Sequence, residues 1–94
     1  MNISWTRIAV QDLRAVWDFV GSDNEAAADK IIRRIFSAIE QLQRHPNFGR
    51  PGRVSGTREL VIIGTPYIVS YRSIRQEIQI LAIVHGARRW PENF

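Results

Sequence analysis

The sequence predicts an α+β fold in which an antiparallel hairpin of two helices packs on an antiparallel β-sheet. Three observations predict this fold. A short segment of alternating apolar and polar residues opens the chain, two segments with helical apolar spacing follow, and three strand-like segments with short connections close it. The chain has 94 residues, the size of one domain. We therefore expect residues 1–94 to form a single domain.

The N-terminal strand is predicted over residues 1–5, because Met1, Ile3 and Trp5 alternate with polar residues. We expect this strand to lie at a sheet edge or next to one. From Thr6 onward the apolar residues recur at helical spacing. The first helix is therefore predicted to be capped by Thr6 and to end at Gly21.

The second helix is predicted to begin at Ser22, because Ser22 and Glu25 have the spacing of a capping box. It must stop before His45, since the residue preceding a proline disfavours the helical conformation. The connection between the two helices is only a few residues, which predicts an antiparallel hairpin. One apolar stripe of this helix is assigned to the core: Ala28, Ile31, Ile32, Ile35, Ile39 and Leu42.

The C-terminal half is predicted to form a three-strand antiparallel meander after a loop. Residues 47–57 hold three glycines and a proline, a composition typical of loops. The strands are predicted over residues 58–63, 67–72 and 77–85, with connections short enough for antiparallel neighbours. On the third strand, one face is assigned to the helical hairpin: Ile78, Ile80, Ala82 and Val84.

Composition excludes several classes of function. The chain has no cysteine, which excludes disulfides, thiolate metal sites and a cysteine nucleophile and suits a reducing cytoplasm. Polar residues interrupt the N-terminus, so neither a signal peptide nor a membrane span is predicted. No metal-ligand spacing, glycine-rich phosphate loop or Ser/His/Asp set is recognisable. We expect a cytoplasmic protein without metal or cofactor and without a membrane partner.

Charge is distributed unevenly along the chain. Residues 1–43 carry a net charge of −1, whereas residues 44–94 carry +5. Twelve of the thirteen basic residues are arginine, whose planar guanidinium suits carboxylates and phosphates. The pattern indicates either nucleic acid or an acidic protein as the partner, and charge alone does not choose between them.

Six segments along essentially the whole chain carry a resemblance to a known family: Ala9-x-x-Asp12-Leu13, His45-Pro46, Gly49-Arg50-Pro51, Arg58-Glu59-Leu60, Pro66 to Arg72 and Ile83 to Pro91. In this order they resemble the RelE/ParE superfamily, the toxins of bacterial type II toxin-antitoxin modules. The resemblance implies a toxin held inactive in a hetero-oligomer with a cognate acidic antitoxin.

Two branches of that superfamily imply different chemistry. RelE-like toxins are ribosome-dependent mRNA endonucleases. They place an arginine directly after the tyrosine of the strand predicted here over residues 67–72, where this chain has Ile68. They also often have a functional C-terminal tyrosine, for which the nearest counterpart is Phe94. ParE-like toxins bind DNA gyrase and share the pattern of Ile83, His85 and the arginine pair 88–89. The ParE-like branch is therefore predicted, without an assigned enzyme activity. The alternatives are the mRNA endonuclease and a non-toxic binding remnant.

Two sets of site residues follow from these interpretations. His85 is the one candidate for acid–base chemistry. The alternative is a structural role, in which its side chain bonds backbone groups at the end of the strand. Glu59 is interpreted as a surface or antitoxin-facing charge. Contact with the target is predicted for Arg58, Arg72, His85, Arg88, Arg89 and Trp90. Contact with the antitoxin, through apolar grooves beside the hairpin and the sheet, is predicted for Leu13, Trp17, Ile35, Arg50 and Arg53.

Overall fold

In the computed structural model of the chain, the structure describes residues 1–87. Within that range two helices lie against one five-stranded sheet with the strand order β1-β5-β4-β3-β2. The predicted α+β class with its helical hairpin and C-terminal meander is confirmed. The elements are β1 Asn2–Trp5, α1 Arg7–Gly21, α2 Glu25–Gln41, β2 Arg50–Pro51, β3 Arg58–Val61, β4 Tyr67–Ile74 and β5 Glu77–His85.

The sheet is mixed. β1 lies at one edge and pairs in parallel with β5, so that Ile3 is opposite Ile78, whereas the other neighbours are antiparallel. Parallel neighbours need a long crossover connection, and here the helical hairpin and the meander provide it. The other edge is β2, a two-residue strand inside the segment predicted to be a loop.

Side-chain caps define both helix starts, and one of them differs from the prediction. Thr6 Oγ1 accepts the Ala9 amide at 3.1 Å, as expected for the cap of α1. For α2 the cap is Asn24, whose Oδ1 accepts the Ala27 amide at 3.0 Å. The predicted capping box at Ser22 is wrong, because the Ser22 hydroxyl donates to Phe19 O at 2.8 Å and completes the end of α1 instead.

A β-bulge in β5 decides which residues face the helices. Ala82 lies opposite Ser70, but the next pair is Ile80 with Tyr71, so Leu81 is the extra residue. Ile78 and Ile80 face the helices as predicted. Beyond the bulge the alternation shifts, and Ile83 rather than Ala82 or Val84 joins the core cluster. The assignment of Ala82 and Val84 to the helical face is therefore wrong.

The core lies between the helical hairpin and the inner face of the sheet. From the helices it takes Ala9, Val16, Ile35, Ile39 and Leu42; from the sheet it takes Leu60, Ile62, Tyr67, Val69, Tyr71, Ile78, Ile80 and Ile83. The hairpin between β4 and β5 is tighter than predicted. β4 continues to Ile74, and the two turn residues Arg75 and Gln76 have positive φ values of 51° and 67°.

Candidate partner and target surfaces

A buried carboxylate holds the segment between α2 and β3. The Glu59 side chain is 3% exposed and accepts Arg50 Nη2 at 3.0 Å, with Arg53 Nε at 3.5 Å. It also accepts the Arg53 backbone amide at 2.8 Å. The interpretation of Glu59 as a surface charge is therefore wrong. Arg50 and Arg53 remain about half exposed, so they hold the loop and still present donors to solvent.

A second anchor holds residues 46–49. The Tyr71 hydroxyl donates to Pro46 O and accepts the Gly49 amide, both at 2.8 Å. Arg58 Nη1 donates to Gly49 O at 2.7 Å. A Cβ at Gly49 would lie 2.7 Å from Tyr71 Cε1, so only glycine allows this close approach.

Tyr71 and Arg58 therefore have structural roles. Burial raises the pKa of the Tyr71 hydroxyl, against the lowering effects of the Gly49 amide and the Arg58 charge. The hydroxyl thus stays protonated and keeps its donor to Pro46 O at 2.8 Å. Arg58 Nη1 donates to the loop carbonyls of Asn47 and Gly49, and its contact with the target stays a prediction.

A groove of about 590 Å³ runs between α2 and the edge of β3. Among the described residues, its lining combines apolar side chains with three cations and contains no acidic residue. The lining residues are Lys30, Arg33, Arg34, Ser37, Ala38, Gln41, Phe48, Leu60, Val61, Ile62 and Ile63.

The opposite edge of the sheet is closed by Thr6, the cap of α1, and by Asp12 of α1. β1 ends at Trp5, opposite Ile80, and past that point Thr6 Oγ1 donates to Leu81 O at 3.0 Å. The Asp12 carboxylate then accepts the Ile83 amide at 3.0 Å. Burial raises the pKa of Asp12, against the lowering effect of that amide.

His85 lies on the helical face of the sheet, at its end. Its ring packs edge-on against Tyr67 with 5.7 Å between centroids, and its Nδ1 accepts the Ala87 amide at 3.2 Å. Both rings line a cavity of about 100 Å³ together with Asp12 and Phe19. Because Nδ1 accepts a bond, a neutral His85 carries its proton on Nε2. The backbone contact fits the structural alternative, while the cavity leaves the ring accessible.

The described target candidates do not share one surface. Arg72 lies on the outer face of the sheet, where its Nε donates to Gln79 Oε1 at 2.6 Å. His85 faces the helices, and Arg58 is bound to the loop. The other three candidates, Arg88, Arg89 and Trp90, lie outside the described residues, as does Phe94.

The expected antitoxin contacts differ in accessibility. Trp17 is 41% exposed, and Leu13 is a partly buried neighbour of the core. Ile35 is fully buried in the core, so its expected role as a contact residue is corrected to a core role. The apolar stripe that suggested it is the stripe that packs on the sheet.

Sequence interpretation did not recognise three residues that shape these surfaces. Asp12 was recognised only as part of a motif, Tyr71 only as a packing residue, and Phe48 not at all. The partner atoms of Asp12 and Tyr71 lie 71 and 22 residues away in the chain, so local patterns do not reveal them. Phe48 next to Gly49 in a loop was the one local signal, since exposed aromatic loop residues often bind partners.

Residues 1–87 contribute neither a metal site nor a membrane-spanning helix. They contain no group of three His, Asp or Glu side chains placed to hold a metal ion. Neither helix in that range is long and apolar enough to cross a membrane.

Comparison with known proteins places the chain among the toxins of type II toxin-antitoxin systems. It is 38% identical over 91 residues to the putative toxin Y4kP of Sinorhizobium fredii, covering 97% of this chain and 94% of that protein. It is 33% identical over 87 residues to the toxin RelE2 of Caulobacter vibrioides, covering 93% and 97%.

A family model and a solved structure identify the toxin family more narrowly. The model of the ParE toxin of the type II toxin-antitoxin system parDE matches residues 3–90. A solved chain of the chromosomal ParDE TA system from P. aeruginosa superposes with a TM-score of 0.80 at 34% identity, covering 90% of this chain and 95% of that chain. The chain belongs to the ParE toxin family, which confirms the predicted RelE/ParE resemblance.

Proposed function

We propose that this ParE-family toxin is neutralised by a cognate acidic antitoxin and that it acts in the cytoplasm by binding DNA gyrase. Membership of the ParE family supports the pairing with an antitoxin. The excess positive charge of residues 44–94 supports an acidic partner.

One observation on the sheet favours a binding mechanism over RNA cleavage. Ile68 occupies the position at which a RelE-like toxin has an arginine, and its neighbours on the adjacent strands are Val61 and Val84. This row on the outer face has no charged side chain to stabilise a developing phosphorane and no group to accept a 2′-hydroxyl proton. The row therefore supports the gyrase proposal over the ribosome-dependent endonuclease.

The test is induction of the chain in a bacterial host without its antitoxin. We expect growth arrest with filamentation and a DNA damage response, intact translated mRNA by primer extension, and inhibition of purified gyrase by the purified toxin. Codon-specific cuts in translated mRNA would move the protein to the endonuclease mechanism. If the induced chain is harmless and binds no protein encoded by the neighbouring reading frame, the remaining interpretation is the non-toxic binding remnant.

The two histidines provide a matched pair of variants for the same assay. His85 lines the cavity at the sheet end, whereas His45 follows α2 and is exposed. If the target contacts the His85 end, His85→Gln should reduce toxicity and gyrase inhibition at least about tenfold, the loss of roughly one strong polar contact. His45→Gln should leave both unchanged. Equal toxicity of both variants would place target contact elsewhere, with Arg72 as the next residue to substitute.

A further inference from the structure

We propose that the cavity between α1 and the ends of β4 and β5 is a binding site for a guanidinium group and that Asp12 is its charged contact. The guanidinium can come from an arginine side chain of the toxin's target or from a free guanidine compound. The first source rests on the proposed function, whereas the site itself does not.

Helix α1 and the sheet each contribute one wall of this cavity. Asp12 and Phe19 lie two turns apart on the same side of α1. Tyr67 and His85 are opposite each other in the ladder of β4 and β5. The volume of about 100 Å³ is enough for several water molecules. The cavity therefore has room for a small planar head group.

Asp12 is the unusual member of this lining, because its carboxylate is partly buried without a basic partner. Burial raises the pKa of the Asp12 carboxyl, so water solvates its charge incompletely. Its hydrogen-bond partner within residues 1–87 is the Ile83 amide at 3.0 Å. A carboxylate accepts up to about four hydrogen bonds. Most of the acceptor capacity of Asp12 is therefore unused in the described part of the chain.

Glu59 shows how this chain neutralises a buried carboxylate elsewhere. It pairs with Arg50 at 3.0 Å and with Arg53 at 3.5 Å. The sequence has thirteen basic residues, yet none of those in the described range forms an ion pair with Asp12. Because buried charges are normally paired, the unpaired Asp12 points to a cation supplied by a ligand.

The aromatic lining selects the kind of cation. The Tyr67 and His85 rings meet edge-on with 5.7 Å between centroids, and Phe19 lines the same cavity. A guanidinium is planar, stacks on aromatic rings and is more weakly hydrated than an ammonium group. Its fork of N–H donors also matches the geometry of a carboxylate. Aromatic walls with one carboxylate therefore fit an arginine-type group better than a lysine ammonium.

This site is opposite in sign to the basic C-terminal half of the chain. The whole chain has a net charge of +4, so attraction of a cation must come from the local carboxylate. A target that meets both the arginines of the toxin and Asp12 must present charges of both signs in a fixed arrangement. Such complementarity fixes the orientation of a complex and excludes wrong partners.

The first experiment titrates N-propylguanidinium into the purified full-length chain and follows its resonances by NMR. We expect saturable shifts at the Ile83 amide and the His85 ring, with a Kd on the order of millimolar for so small a ligand. N-propylurea, which has a similar shape and no charge, should cause no saturable shift.

Two variants of α1 make this titration specific. Asp12→Asn keeps an acceptor oxygen for the Ile83 amide but removes the charge, and it should weaken binding of N-propylguanidinium at least about tenfold. The control Asp18→Asn, at an exposed position of the same helix, should stay within about twofold. A purely structural role of Asp12 would leave binding to the folded Asp12→Asn variant unchanged.

Three results would overturn the site. These are equal binding by Asp12→Asn, equal shifts with N-propylurea, and the lack of any saturable shift in the wild type. In the last case, the variant with both Arg88→Ala and Arg89→Ala is titrated next. Binding that appears only in this variant would assign the cavity to an arginine of the chain itself and overturn an external ligand.

The second experiment identifies the source by measuring binding to purified gyrase. If an arginine of gyrase enters the cavity, Asp12→Asn should raise Kd about tenfold or more, and Asp18→Asn should not. If Asp12→Asn loses the small probe but binds gyrase like the wild type, the target as source is overturned and a free guanidine compound remains. If the wild type does not bind gyrase, the proposed function fails, and the NMR titration still decides the site.

Discussion

The two edges of the sheet are treated in opposite ways. Beyond the end of β1, the β5 edge is closed by the cap of α1 and by a side chain of α1. The Thr6 hydroxyl donates to Leu81 O, and the Asp12 carboxylate accepts the Ile83 amide. Beyond the end of β2, no strand of the described chain covers the β3 edge at Val61. Open edges invite pairing with other chains. One edge is therefore closed by the chain's own residues, whereas the other keeps unpaired strand groups at Val61 within the described residues.

The open edge is nevertheless built on a rigid support. Glu59 and Tyr71 hold the loop that follows α2, and the groove beside β3 is lined by that loop. Each edge thus depends on one carboxylate: Asp12 bonds the closed edge directly, and Glu59 holds the loop beside the open edge. Substituting the two carboxylates separately tests the comparison.

The largest expected effect is that of Glu59→Ala. The change removes two ion pairs and the bond to the Arg53 amide. Because the two guanidiniums are half exposed and can be rehydrated, we expect a loss of about 2 to 3 kcal/mol, below that of a fully buried pair. Denaturant unfolding measures it. The control Glu40→Ala, on the exposed side of α2, should change stability by less than about 0.5 kcal/mol. Equal effects would show that Glu59 is not an anchor.

A smaller effect is expected from Asp12→Ala at the closed edge. The Ile83 amide would lose its acceptor, which costs about 1 to 2 kcal/mol. Asp12→Asn retains an acceptor oxygen and should largely preserve stability. In hydrogen exchange of the wild type, the Ile83 amide should exchange at least about tenfold more slowly than the Val61 amide, and Asp12→Ala should remove that difference. Fast exchange at Ile83 in the wild type would mean that the edge is not closed in solution.

The smallest effect is a pH dependence confined to the closed edge. The folded pKa of Asp12 lies above its ordinary value of 3.8 because of burial. The folded state therefore binds the proton more readily, and stability falls as pH rises from about 3.8 through the folded pKa. Asp12→Asn has no such ionisation. The Tm of this variant relative to the wild type should rise across that window and stay constant above it. A constant difference at all pH values would contradict the raised pKa.

Much of the fold could be predicted because its signals are local. The change from two-residue to helical spacing at Thr6 defined α1, and the proline after His45 limited α2. The surface formed by the loop after α2 was harder to predict from the sequence. The Tyr71 hydroxyl bonds Pro46 O and the Gly49 amide, on either side of Phe48, and these groups meet only after α2 and β4 have packed. Ile35 shows the reverse error, since an apolar stripe does not reveal which of its residues remain exposed.

The bulge at Leu81 has a consequence for comparing family members of different length. Leu81 is the extra residue between two regular stretches of the β4–β5 ladder. A relative that lacks one residue at this point would keep Ile83 and His85 on the same face, because pairing with β4 would simply become regular. A deletion two residues later would reverse the facing of His85. Alignments of this strand are therefore best anchored at His85. A one-residue gap at Leu81 does not change the face on which Ile83 and His85 lie.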